Sequence, residues 1–152
     1  MGTKNMKILI FALEGEHYAT DIRDVERILE YTKPTEMPDT PDFIEGIINH
    51  QNEIIPIVDL EKKFKFKSPK DIKKDKIIVI KRKEKKFGIV VEKVYEVTTM
   101  SMETFEEAPE ITLDTTKKYM RGLIKLDNNI VILLNLGKIL TEEEENLIFL
   151  ED

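Results

Sequence analysis

At 152 residues, with 41% hydrophobic content and a formal net charge of -6, the chain can bury a core as one domain, and its acidity argues against nucleic acid as a default partner. It has no cysteine, which excludes disulfides, thiolate metal sites and cysteine nucleophiles and fits a reducing compartment. No apolar stretch approaches the ~20 residues of a membrane span and Met1 to Lys7 carries no hydrophobic signal region, so a soluble, cytoplasmic protein is expected.

Lys7 to Leu13 is rich in Ile, Leu and Phe, Glu14-Gly15 closes it, and Tyr18 to Ile22 returns, which predicts a hairpin. A short turn and then a strand follow over Asp24 to Tyr31. Pro34, Pro38 and Pro41 punctuate an extended segment. From Phe43 to Leu60 the string FIEGIINHQNEIIPIVDL reads as strand, turn, strand. Its turn is the polar tetrad Asn49 to Asn52, with Asn52 as the left-handed residue, and Ile54 to Val58 resumes as a buried-type strand. Pro56 cannot donate to a ladder, so that strand is expected at an edge or with a bulge. Leu60 and Phe64, four apart, suit a short helix, and Lys65 to Asp75, containing Ser68-Pro69, is a polar connector.

The second half repeats the first. Lys76 to Ile80, a charged turn over Lys81 to Lys86 and Phe87 to Val91 match the opening hairpin. Val94 and Val97 answer Val25 and Ile28, and Met100 to Lys118 is an irregular linker with Pro109. YMRGLIKLDNNIVILLNL, from Tyr119 to Leu136, then lies over the Phe43 string without a gap, setting Gly122 on Gly46 and Asn128 on Asn52, with Ile132 in the place of Pro56. Gly46 and Gly122 are expected to be equivalent packing glycines. Thr141 to Glu144 has the form of a capping box, predicting a terminal helix over Glu142 to Leu150 with Leu147 and Leu150 turned inward. About five strands per half imply two small barrels in one domain. The expected division is residues 14–75 for the first, residues 76–140 with the N-terminal strand 7–13 for the second, and 141–152 for the helix.

The residues offer no enzyme. His17 and His50 fall in turns without metal-ligand or base-partner spacing, and the nucleophile-elbow, P-loop and dinucleotide motifs are absent. No cofactor or metal is expected. Lys81 to Lys86 beside Phe87 reads first as a solvated hairpin and second as a single-strand nucleic-acid contact. Asn49, His50 and Gln51 sit in a turn whose polarity packing does not require, a place where binding residues gather. The Lys, Glu and Ile balance within 36% charged residues is common in thermophile proteins and is also produced by AT-rich coding.

The Phe43 string resembles the signature of the CheW-like chemotaxis coupling proteins, with Phe43, Gly46, Asn49, Pro56, Asp59 and Leu60 in register. Gly88 to Val97 and the final repeat are similar to further family segments, so the likeness spans Ile8 to Leu140. It implies a mainly β fold of two packed, intertwined five-stranded SH3-like barrels, no catalysis, and an adaptor, monomeric in isolation. Its partners would be the regulatory domain of the chemotaxis histidine kinase and the cytoplasmic tip of a chemoreceptor. By position, Ile22, Val25, Ile28 and Val94 match residues of a receptor-facing groove, whereas ordinary core is the plain physical alternative. Three residues depart from the family: Gln51 where Arg is usual, Glu92 for Asp, and Asn135 for Asp. Gln51 removes a fixed charge and a planar donor fork from the turn.

Overall fold

The computed structural model describes residues 5–64, 73–109 and 118–148. Chain order is β1 (Asn5–Leu13), β2 (Glu16–Asp21), β3 (Val25–Glu30), β4 (Ile44–His50), β5 (Glu53–Val58), α1 (Leu60–Phe64), β6 (Lys76–Arg82), β7 (Lys85–Val91), β8 (Lys93–Ser101), β9 (Phe105–Glu106), β10 (Met120–Leu126), β11 (Asn129–Leu134) and α2 (Glu142–Ile148). Short 3₁₀ turns occupy Ile22–Asp24, Met102–Thr104 and Leu136–Lys138. Ser68, Pro69 and Leu150 lie outside the described residues, as does the side chain of Leu147.

Two sheets form, six strands in the order β8-β1-β2-β11-β10-β9 and five in the order β3-β6-β7-β5-β4. Adding 69 to the numbers of β1 to β3 gives β6 to β8, and adding 76 to β4 and β5 gives β10 and β11. That mapping turns one sheet order into the other. The six-stranded sheet therefore takes the β1–β2 hairpin from the first half and four strands from the second, and the five-stranded sheet takes the β6–β7 hairpin from the second half and three strands from the first, which corrects the expected division at residues 14–75 and 76–140. Residues 16–21 pair with the second half, and residues 76–91 pair with the first. The physical reason is a parallel ladder: β2 runs beside β11, with Ala19 opposite Leu133, as β7 runs beside β5, with Gly88 opposite Ile57. Such pairs cannot be closed by a tight turn and need a long crossover.

Alternation puts successive residues of a strand on opposite faces, and β6 is buried on both. Ile77 and Val79 join Ile48, Ile55, Ile57 and Val90 in one cluster, matched by Ile8, Ala19, Met100, Ile124, Val131 and Leu133 in the six-stranded sheet. Ile78 and Ile80 face the third and largest cluster, where Leu9, Phe11, Tyr18 and Leu134 of one sheet meet Val58, Phe87, Ile89 and Val91 of the other. Phe43, Leu60, Leu136, Ile139 and Leu140 complete this shared core.

The hairpin turns are tighter than the polar tetrads suggested. Asn49, His50, Lys125 and Leu126 stay in their strands, leaving two-residue turns. Gln51 and Asn52 both take positive φ, 50° and 66°, as a primed hairpin turn requires. In the second copy the left-handed residue is Asp127, at 54°, and not Asn128. The charged turn of the β6–β7 hairpin likewise shrinks to Lys83-Glu84. In the linker expected to be irregular, β8 continues to Ser101 and β9 forms.

Pro56 stands in an interior strand rather than at an edge. Its partner Ile47 sends both backbone groups away, to Thr35, at 2.9 and 2.8 Å, so no bond is asked of the proline nitrogen on that side. On the other side the ladder to β7 begins only at Ile57. Ile132 restores a donor, and the equivalent ladder spans four residues, from Val131 to Leu134. A register shift does occur, in β4 between Ile44 and Gly46. The last turn of each repeat differs too. Asp59 Oδ1 accepts the N–H groups of Glu61 and Lys62 at 2.9 and 3.2 Å and caps α1, whereas Asn135 makes no such bond and only a 3₁₀ turn follows. At α2 the capping box forms in full: Glu144 N–H donates to Thr141 Oγ1, at 3.1 Å, and Thr141 N–H donates to Glu144 Oε1, at 2.8 Å.

Gly46 and Gly122 hold the same place in the two sheets, at φ of 147° and 158°. A Cβ on Gly46 would collide with the carbonyl of Thr35, and one on Gly122 with the carbonyl of Glu106 and the ring of Phe105. Thr35 and Glu106 belong to the segments that bridge to β4 and β10, so the glycines let a further strand close over each hairpin. Gly46→Ala and Gly122→Ala are each expected to lower unfolding free energy by at least about 1–3 kcal/mol through overpacking. Urea titration measures this, and variants that unfold with the parent would contradict the shared role.

Candidate functional site

β3 and β8 each form one edge of their sheets, opposite the edges at β4 and β9. The chain reaches β3 from β2 through the 3₁₀ turn Ile22–Asp24, which Asp21 caps by accepting the Arg23 N–H at 2.9 Å. Ile22, Val25 and Val94 are half-buried and pack against the shared core, while Ile28, next along β3, is 41% exposed. Sequence reasoning left groove and core open for these four. Val25 and Ile28 lie on one edge strand, Val25 packed on the core and Ile28 open to solvent, and Val94 lies on β8 of the other sheet. Val97, the counterpart of Ile28, is 48% exposed.

Asn49 and Gln51 are exposed on the β4–β5 hairpin, joined to β3 by Arg27. Arg27 Nη1 lies 2.9 Å from His50 Nε2 and 3.4 Å from Gln51 Oε1. A guanidinium can only donate, so His50 Nε2 is the acceptor in this contact. A cation thus reaches the Gln51 turn from β3, at the other end of the sheet order. Nearby, Lys86 Nζ bridges Glu26 and Glu53, at 3.0 Å each. Its bond to Glu26 holds that carboxyl below the usual carboxylate range. Sequence reading missed Arg27 and the His50 partner because they come together across the sheet, 23 residues apart. It also read Ile54 to Val58 as wholly buried, yet Ile54 and its counterpart Ile130 are 60% and 59% exposed beside the hairpin turns.

The remaining signature residues are structural in place. Phe43 and Leu60 are buried, with the Lys63 ammonium 4.7 Å from the Phe43 ring centroid. Asp59 N–H donates to the Phe43 carbonyl at 2.7 Å, repeated as Asn135 to Tyr119 at the same distance. Gly88 is wedged between Ile77 and Ile57. The lysine-rich hairpin is partly neutralised: Arg82 pairs with Glu145, and Lys86 with its two glutamates. Among the described residues no cluster of His, Cys, Asp or Glu is arranged to hold a metal ion, and no helix is long and apolar enough to cross a membrane.

A CheW-like domain model matches residues 7–144. The chain belongs to the CheW-like family. It is 34% identical to the chemotaxis protein CheW of Klebsiella aerogenes over 146 residues, covering 96% of this chain and 88% of that one. With CheW of Thermotoga maritima it shares 30% over 141 residues, covering 91% and 90%. The crystal structure of the scaffolding protein TtCheW from Thermoanaerobacter tengcongensis superposes with a TM-score of 0.80 at 33% identity, over 93% of this chain and 96% of that one. As a CheW-like protein the chain is a non-catalytic chemotaxis adaptor, and neither the relatives nor the ion pairing at Lys86 and Arg82 favour nucleic-acid binding.

One titrating group lies between the sheets. Glu61, buried on α1, has its carboxyl pushed up to about 7, first by burial and then by Glu14, Asp59 and Glu92, against a smaller pull from Lys74. Because its ordinary value is 4.5, the folded chain holds a proton that the unfolded chain releases between those two values. Stability should therefore fall as pH rises from about 4.5 to about 7 and level off above, by on the order of 1–3 kcal/mol from this group. Glu61→Gln should remove that slope and raise the melting temperature at pH 8, with little change at pH 4.5; equal melting of both proteins at pH 8 would contradict it.

Proposed function

We propose that this adaptor joins two partners in the cytoplasm as a monomer: a chemoreceptor tip seated on the strip formed by Ile22, Val25, Ile28 and Val94, and the regulatory domain of the chemotaxis histidine kinase, with Asn49 and Gln51 at a partner-facing turn. The observation that carries this reading is the exposure of Ile28 beside half-buried Val25 on an edge strand. β3 carries Glu26, Arg27 and Glu30, as edge strands commonly carry charge, and an exposed apolar side chain set among them offers a contact for a partner. An interior built from strands of both halves keeps the two faces at fixed separation. Binding both partners on one rigid body raises the effective concentration of kinase at receptor without any direct contact between them.

Ile28 is the cleaner probe, since Val25 also packs on the core and a buried unpaired carboxylate there would unfold the chain. Ile28→Asp is expected to keep the parent's thermal melt within a few degrees, since the site is open to water, and to abolish co-sedimentation with receptor-tip fragments. Retained binding would remove the groove assignment.

At the turn, Arg27 supplies the charge that a family arginine would carry. Gln51→Arg alone sets two guanidinium groups against each other and should gain nothing for the kinase domain. Arg27→Gln should weaken binding, and the double change Arg27→Gln with Gln51→Arg should recover it, more fully at low salt than at high. Titration calorimetry of the four proteins measures this cycle, and additive losses in the double variant would contradict it.

A further inference from the structure

Two cavities share three lining positions under the repeat, and at those positions their chemistry differs. One, of about 310 Å³, is lined by Lys33, Glu45 and Lys74 among others. Glu45 and Lys74 pair across it at 3.3 Å, and its other charged lining residues, Glu36, Asp59, Lys33 and Lys62, balance. The second cavity, in the six-stranded sheet, is larger, about 810 Å³, and its lining places Met102 where Lys33 stood, Arg121 where Glu45 stood and Asn5 where Lys74 stood. The cross-cavity ion pair is thereby replaced by a lone guanidinium. Arg121 Nη1 lies 3.7 Å from Met6 Sδ, and among the described residues no carboxylate comes within ion-pair distance of Arg121 or Lys7. Of the lining acids only Asp21 is present, and its two oxygens are engaged by Arg23 at 2.6 to 3.1 Å; Asp24 lies close enough for Arg121 to act on it.

We propose that this cavity is a docking site for a short acidic segment of a partner protein, a carboxylate beside an apolar residue. Arg121 presents a planar donor fork that matches a carboxylate, with the Lys7 ammonium on the same rim, so the lining carries three cations against one acid on a chain whose net charge is -6. Beside the polar Asn5, the wall has an apolar part made of Met6, Met102 and Ile22, and methionine adapts its shape to varied side chains. Asp21 is buried in the wall, at 5% exposure, and repels a free anion that would enter fully, so the charge is held at the rim and the apolar group inside. The volume is that of pockets that take a few side chains. This goes beyond the adaptor reading: it names a contact of a different chemistry that adjoins the proposed receptor strip through Ile22, and Arg121 and Met102, which the strip does not use, tell the two apart.

The test is a two-dimensional NMR titration of the full chain with the blocked peptide Leu-Glu-Glu-Leu, with its Leu-Gln-Gln-Leu analogue, and with glutarate. The Glu peptide is expected to shift the amides of Met6, Lys7, Ile22, Met102 and Arg121 saturably, with affinity falling as salt is added. The Gln analogue should bind at least about tenfold more weakly, as loss of a charge-assisted pair implies. Arg121→Glu, which restores the acid found in the other cavity, should abolish the shifts and leave the melt unchanged. Absence of saturable shifts at millimolar peptide, equal binding by the Gln analogue, or binding that survives Arg121→Glu overturns the proposal. Glutarate binding as tightly as the peptide also overturns it, in favour of a free small anion.

Discussion

Two parallel ladders, β2 beside β11 and β7 beside β5, hold the rest of the structure in place. Each joins strands that lie far apart in sequence, and each forces a hairpin from one half of the chain into the sheet built by the other. Once the hairpins are exchanged, neither half has a complete sheet without its partner. The largest core cluster then lies where the sheets meet, with Phe11 and Tyr18 from one side and Phe87 and Ile89 from the other. Burial there rewards both halves together, as expected when non-local pairing must be formed before it stabilises anything.

The duplication supplies a frame and the differences between its copies supply asymmetry. Pro56 shortens one ladder that Ile132 lengthens, and Asp59 caps a helix where Asn135 permits only a 3₁₀ turn. Glu45 closes a cavity that Arg121 leaves open. An adaptor needs this combination, because two equivalent surfaces that stayed identical would hold the same partner twice. Burial and the acids of the β1–β2 turn, the start of α1 and the residue after β7 together push the Glu61 carboxyl up.

Much of this was legible in the residues. The repeat, the glycines and the capping box at Thr141 each rest on local chemistry, so a string such as FIEGIINHQNEIIPIVDL announces its hairpin. Which hairpin joins which sheet was not legible, because the choice between exchanged and unexchanged pairing depends on contacts across the whole chain and leaves the local pattern unchanged. The same limit hid Arg27, whose partners His50 and Gln51 are distant in sequence. Ile54 and Ile130 looked buried because an apolar run carries no mark of where a hairpin emerges from the sheet. Pro56 pointed to an edge for a sound reason, but an interior strand can carry proline where its neighbour on one side bonds elsewhere and the ladder on the other side has not begun.

Native-state hydrogen exchange tests the exchanged-hairpin architecture most directly. Each sheet contains strands of both halves, so amides of β1, β2, β6, β7, β5 and β11 should share one opening free energy and one dependence on denaturant, equal to those of global unfolding. If residues 14–75 instead opened as a unit at lower free energy than residues 76–140, the halves would be independent modules and the account would be wrong.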